Sequence, residues 1–124
     1  MVAYLAILPS MNEEQKAIYG ARARVIKALA HPARLLIVDE LANQPLCVCD
    51  IRDLVGSDLS TVSKHLSVLK NAGVVADEKR GVQVFYSLRC PCVSAFFTCA
   101  ESVLATNARE QVRLARKRGR GGVV

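Results

Sequence analysis

No run of this chain approaches the ~20 consecutive apolar residues that a membrane-spanning helix needs. The nearest candidate, Met1 to Leu8 (MVAYLAIL), is far too short. It also lacks a basic leader and a small-residue cleavage site, so it does not read as a secretory signal. There is no internal repeat, no nucleotide-binding glycine loop and no C-x-x-C pair. No histidine–carboxylate arrangement suits catalysis, which leaves a thiol enzyme or a metal carrier as a weakly supported alternative. The five cysteines are odd in number and come without a secretory signal. They read as reduced thiols of a cytoplasmic protein rather than as a disulfide framework.

What is present is a chain of 124 residues, the length of one domain. A chain this short buries a modest core and often gains the rest by dimerising. It holds 17 Lys and Arg against 11 Asp and Glu, a formal charge of +6. Such an excess points to a polyanionic partner, nucleic acid first, although charge alone fits any soluble basic protein. Two cysteine pairs, Cys47-Val48-Cys49 and Cys90-Pro91-Cys92, have C-x-C spacing, which suits soft-ion binding or redox chemistry.

Helical periodicity starts after Ser10, where Ser10 and Glu13 form an S-x-x-E capping box ahead of Ile18, Val25, Ile26 and Leu29. His31-Pro32 interrupts this helix and starts a second, with His31 as a cap or buried contact and Leu35, Leu36, Val38 and Leu41 following. A short helix covers Val48 to Val55 and ends at Gly56. The next opens on Asp58 as N-cap and carries Leu59, Val62, Leu66 and Leu69 as one apolar stripe. Ser60, Ser63, Lys64, Ser67 and Lys70 lie off that stripe, and Thr61 and His65 flank it. After Asn71-Ala72-Gly73 the period changes to two, predicting a hairpin over Val74 to Leu88 that turns near Lys79-Arg80-Gly81. A last helix is expected from Val93 to Arg116, with Phe96, Phe97, Val103 and Leu104 as anchors. The reading is one domain over 1–116 and a basic, disordered tail over 117–124.

The fold class is therefore mainly α with a β-hairpin wing, a winged helix-turn-helix. Two short helices joined by Gly56-Ser57-Asp58 make the helix-turn-helix. The second presents small hydroxyls and a lysine at its start, which suits close approach to a major groove. The candidate DNA-binding residues are Ser57, Ser60, Thr61, Ser63, Lys64, His65, Ser67 and Lys70, with Lys79 and Arg80 at the wing tip. Taken alone, Ser60 to Lys70 reads equally well as the solvated face of a core helix.

The segments KALAHPARLLIVDEL, LCVCDIRDLVGSDLSTVSKHLSVLKNAGVV and DEKRGVQVFYSL resemble the ArsR/SmtB family of arsenic- and metal-responsive repressors. The resemblance covers roughly Val25 to Leu104. It is most specific in S-T-V-S-K-H-L at Ser60 to Leu66 and L-C-V-C-D at Leu46 to Asp50. It implies a homodimer built on the first and last helices and a fourth helix that reads double-stranded operator DNA. It further implies release from the operator when an inducer binds. On matching positions it implies DNA contacts from Ser60, Thr61, Ser63, Lys64 and His65, and from Arg80 of the wing. Zinc sensors of the family use His and Asp on the last helix, and no histidine follows His65 here.

Thiolates are soft ligands suited to As(III), Sb(III), Cd(II), Pb(II), Cu(I) or Zn(II). The C-V-C-D motif resembles the arsenic and cadmium sensors, which makes Cys47 and Cys49 the first candidates, followed by Cys92, Cys90 and Cys99. Some arsenic-sensing members add a cysteine three residues after the second, but Arg52 holds that position here. Cys92 and Cys99 would lie about 10 Å apart along one helix face, too far to share a small ion. Cys47 and Cys49 converge only if Cys47 precedes the first helical turn, and Pro91 similarly suggests a non-helical start at Cys90 and Cys92. Cys99 also fits as a small core residue. The expected function is a repressor released by As(III) or Sb(III). The alternative is the same protein sensing Cd(II), Pb(II), Zn(II), oxidants or persulfide.

Overall fold

The computed structural model of the chain describes residues 10–121. The Met1 to Leu8 segment and the end of the tail from Gly122 lie outside the described residues. Helix α1 (Glu13–Leu29) opens on Asn12, whose side chain accepts from the Gln15 amide at 2.8 Å while Gln15 returns a bond to the Asn12 amide. The capping box is therefore Asn12–Gln15, not Ser10–Glu13. Asn12 serves as well as serine, and starting there leaves Glu13 and Glu14 in the first turn, where the helix dipole favours anions. Helix α2 (Pro32–Leu41) follows a cap made by His31, whose Nδ1 accepts from the Ala33 amide at 3.1 Å.

A two-residue strand, β1 (Leu46–Cys47), leads directly into α3 (Val48–Val55). Gly56 ends α3 with a positive φ of 74°, a conformation that costs glycine nothing. Asp58 then caps α4 (Leu59–Asn71), accepting from the Thr61 amide at 2.7 Å. Helix α4 closes with Gly73 at φ 82°, the Gly73 amide bonded to Lys70 O and the Val74 amide to Leu69 O. This paired closure is the Schellman arrangement and aims the chain into the hairpin.

The hairpin is β2 (Val75–Arg80) and β3 (Gln83–Leu88), paired antiparallel with Arg80 opposite Gln83. The turn is Gly81-Val82, slightly later than expected, so Lys79 and Arg80 belong to the strand. Only Gly81, at φ 63°, has positive φ, the pattern of a type II′ turn with glycine first. β1 adds to the other side of β3, Leu46 opposite Tyr86 and Cys47 opposite Phe85, giving the order β1-β3-β2.

Ile37, Val38, Ile51, Val62, Leu66, Leu69 and Val75 are fully buried and centre the core on α2, α3, α4 and the base of the hairpin. Leu59, assigned to the buried stripe of α4, is 48% exposed. It occupies the first helical position, where the chain has not yet turned inward. In α2 the buried set is Ile37, Val38 and Leu41, whereas Leu35 and Leu36 are exposed.

The chain divides into two compact units, one ending at Cys90 and one beginning at Pro91. The second contains a 3-10 turn (Pro91–Val93) and helix α5 (Ser94–Gly121). Helix α5 passes through Arg116, where its end was expected. Lys117 and Arg118 are good helix formers, and cations are favoured near a helix C-terminus.

Candidate nucleic-acid interface and thiol positions

Helix α4 divides cleanly. Val62, Leu66 and Leu69 are buried, whereas Ser60, Thr61, Ser63, Lys64 and Ser67 are exposed. At about 100° per residue, Ser60, Ser63, Lys64 and Ser67 form one continuous strip opposite the buried stripe. Hydroxyls and one free lysine thus line the outer face. The helix begins at the Asp58 cap, where the Thr61 hydrogen bond holds the carboxyl below its usual range. Ser57 is half-buried in the turn.

Two of the other basic candidates, Lys70 and Arg80, are engaged within the chain. Lys70 Nζ pairs with Asp77 Oδ2 at 2.9 Å, linking α4 to β2, and this bond raises the lysine above its ordinary pKa. Arg80 Nη2 lies 3.2 Å from Glu78 Oε2, and its guanidinium sits over the Phe85 ring at 4.7 Å. Lys79 is exposed on the wing. Asp77 and Glu78, which temper these cations, carry no signal of that role in the sequence. Their proximity follows only from the hairpin register and the packing of α4 beside β2.

His65 is half-buried and its ring faces that of His31 at 4.4 Å between centroids. Partial burial, then the His31 ring and Arg34, lower its pKa. Arg34 Nη1 donates to Ala28 O at 3.0 Å, while its buried Nε has no partner among the described residues. The sequence carried no signal for Arg34, since the contact spans the α1–α2 corner. Val82, also missed, is 98% exposed at the wing tip.

Cys47 is buried and Cys49 exposed. Cys47 is the N-cap of α3, with φ −76° and ψ 161°, so it precedes the first helical turn while its backbone pairs with Phe85 of the wing. Cys90 is half-buried at the end of the first unit. Cys92 lies in the 3-10 turn and Cys99 in α5, both exposed, so Cys99 is not a core residue of the single chain. Among the described residues, no three His, Cys, Asp or Glu side chains converge on one ion position.

The HTH-type transcriptional regulator Rv0081 of Mycobacterium tuberculosis is 33% identical over 110 residues, spanning 88% of this chain and 96% of that protein. The profile described as "Bacterial regulatory protein, arsR family" matches residues 31–77. The chain belongs to the ArsR family. The crystal structure of Rv0081 superposes on this ArsR protein with a TM-score of 0.68 and 34% identity, covering 77% of the chain and 96% of that structure. The homodimeric winged helix-turn-helix domain of Mb0332 from Mycobacterium bovis, described as a possible ArsR-family regulator, gives a TM-score of 0.68 at 30% identity. It covers 81% of this chain and 93% of its own. A homolog of the cadmium resistance regulatory protein CadC from Staphylococcus aureus is 42% identical over 67 residues, 53% of this chain and 55% of that protein. Matched residues 31–77 run from the His31 cap to Asp77, and so include the C-V-C segment and all of α4. No described helix is long and apolar enough to cross a membrane.

Proposed function

We propose that this ArsR-family protein is a cytoplasmic, dimeric transcriptional repressor that leaves its operator when thiolates capture As(III) or Sb(III). The observation that carries the reading is the position of Cys47, which caps α3 of the helix-turn-helix and pairs with β3 of the wing. A ligand drawn to this residue acts on both candidate DNA-binding parts at once. The exposed hydroxyl and lysine face of α4 supports the DNA half of the proposal. Exposed Ile26 on α1 and Phe96, Val103 and Leu104 on α5 support a dimer, as does the homodimeric relative.

Soft sulfur donors fit a soft trivalent ion. Cys47 and Cys49 supply two of the three thiolates that As(III) takes, and Cys92, Cys90 or Cys99 of the same or the second subunit supplies the third. Because Cys47 is buried, capture requires β1 and the start of α3 to shift. The ion favours the shifted state only by its greater affinity for it. Two recognition helices must sit about one DNA turn apart to bind together, so a small displacement ends the fit.

The second reading keeps the repressor and changes the inducer to Cd(II), Pb(II) or Zn(II), supported by the similarity to a protein named for cadmium resistance. Operator gel shifts with arsenite, cadmium and zinc separate the readings. Arsenite should release wild-type protein but neither Cys47→Ser nor Cys49→Ser. Normal release from both variants would overturn the assignment of these two thiols. Release by cadmium alone would favour the second reading.

A further inference from the structure

Helix α5 has two unlike faces. At about 100° per residue, Phe96, Ala100, Val103, Leu104 and Leu114 fall within an arc of about 100°. Arg109, Arg113 and Arg116 fall within about 60° on the opposite side. The four large apolar residues and all three arginines are exposed. Beyond Arg116 the separation fades: Lys117 falls outside the stripe and Arg118 on the apolar side, while exposed Val112 lies between the two faces; Glu110 is the only acidic residue after Glu101. Glu110 bonds Arg113 at 2.6 Å, while Arg109 reaches, among the described residues, only the Thr106 hydroxyl at 3.4 Å.

Helix stability does not explain this stripe. The helix dipole favours cations within about the last turn, and Arg109 and Arg113 lie well before Gly121. Like charges at i,i+4 and i,i+3 repel, and Glu110 offsets only Arg113, so the stripe keeps a net repulsion along its length. An anion along the face removes that repulsion. The arginines recur over a rise of about 10 Å, so the matching ligand is an extended polyanion rather than one small ion. Duplex DNA carries one charge per about 1.7 Å of its axis, and the guanidinium fork matches phosphate oxygens.

We propose that Arg109, Arg113 and Arg116 form a second DNA contact, one that holds backbone phosphates without reading sequence. It draws on none of the α4 or wing residues and leaves the apolar face of α5 free for the second subunit. The proposal rests on the DNA-binding reading above.

The test uses the full chain with all three arginines changed to Gln, beside a control with all three changed to Lys. Binding to operator and unrelated duplexes is followed by fluorescence anisotropy across a salt series. The Gln variant should flatten the plot of log affinity against log salt by about 0.9 for each phosphate it no longer neutralises, on both duplexes. The Lys variant should keep the wild-type slope. Circular dichroism and sedimentation should show unchanged helix content and assembly. Wild-type slope and affinity in the Gln variant would overturn the proposal. So would an altered sedimentation coefficient with DNA binding intact, which would make the stripe an interface between protein copies. If the triple variant fails to fold, Arg109→Gln alone should still flatten the slope, and an unchanged slope there would overturn the proposal. Wild-type protein that binds no duplex would instead sink the DNA-binding reading itself.

Discussion

His65 stands between the core and the exposed face of α4, and its environment resists a proton. The His31 ring, whose Nδ1 accepts from the Ala33 amide, lies against His65. A protonated His65 would face that ring and the Arg34 guanidinium in a partly desolvated corner. The folded chain therefore binds this proton less readily than the unfolded chain, where the ordinary value of 6.5 applies. Stability from this residue is complete above that value and is lost as pH falls through it toward the lower folded value. Melting temperature should stay level above about pH 7 and drop in mild acid, and His65→Gln should flatten the profile between about pH 7 and 5. An equal slope in both proteins would contradict this account. The wing gives a second residue-scale expectation. Glu78 offsets Arg80, so Glu78→Gln should tighten DNA binding, while Lys64→Ala should weaken it more than Arg80→Ala. Anisotropy titrations at one fixed salt concentration would rank the three.

At the scale of elements, α3 depends on a single wholly buried side chain, Ile51, which anchors a helix of only eight residues. Ile51→Ala should cost about 2–5 kcal/mol, read as a lowered urea midpoint with an unchanged denaturant slope. The limits of α3 and α4 were legible in the sequence because Gly56, Asp58 and Gly73 each have a local stereochemical task. The buried face of α2 was not. Leu35, Leu36, Ile37 and Val38 are apolar in succession, so periodicity cannot choose among them, and only packing selects Ile37 and Val38. β1 was missed because two residues cannot display an alternation. The wing turn was placed early because Gly81 could stand at several turn positions, and cross-strand register decides which. For the candidate site, sequence located the outer face of α4 but not the Lys70–Asp77 bond, which joins residues seven apart through tertiary packing.

For the whole molecule, exposed Ile18, Ile26, Val103 and Leu104 show why an apolar pattern over-predicted the core of one chain. Periodicity identifies a face that avoids water, not whose surface covers it. Leu104→Glu should shift the protein from dimer to monomer in sedimentation at micromolar concentration, with helix content kept; a dimer unaffected by this change would place the interface elsewhere. Operator affinity should fall in parallel, since one protomer presents only one recognition helix. The strand order has another consequence for many copies together. Among the described residues β2 has no partner on its outer side, and such an edge is a template for further strands. It carries Asp77, Glu78, Lys79 and Arg80 in unbroken succession, so an incoming strand would have to desolvate charges of both signs. Concentrated protein should therefore resist fibril growth through the wing, and replacing these four residues with threonine and valine should produce thioflavin-positive aggregates.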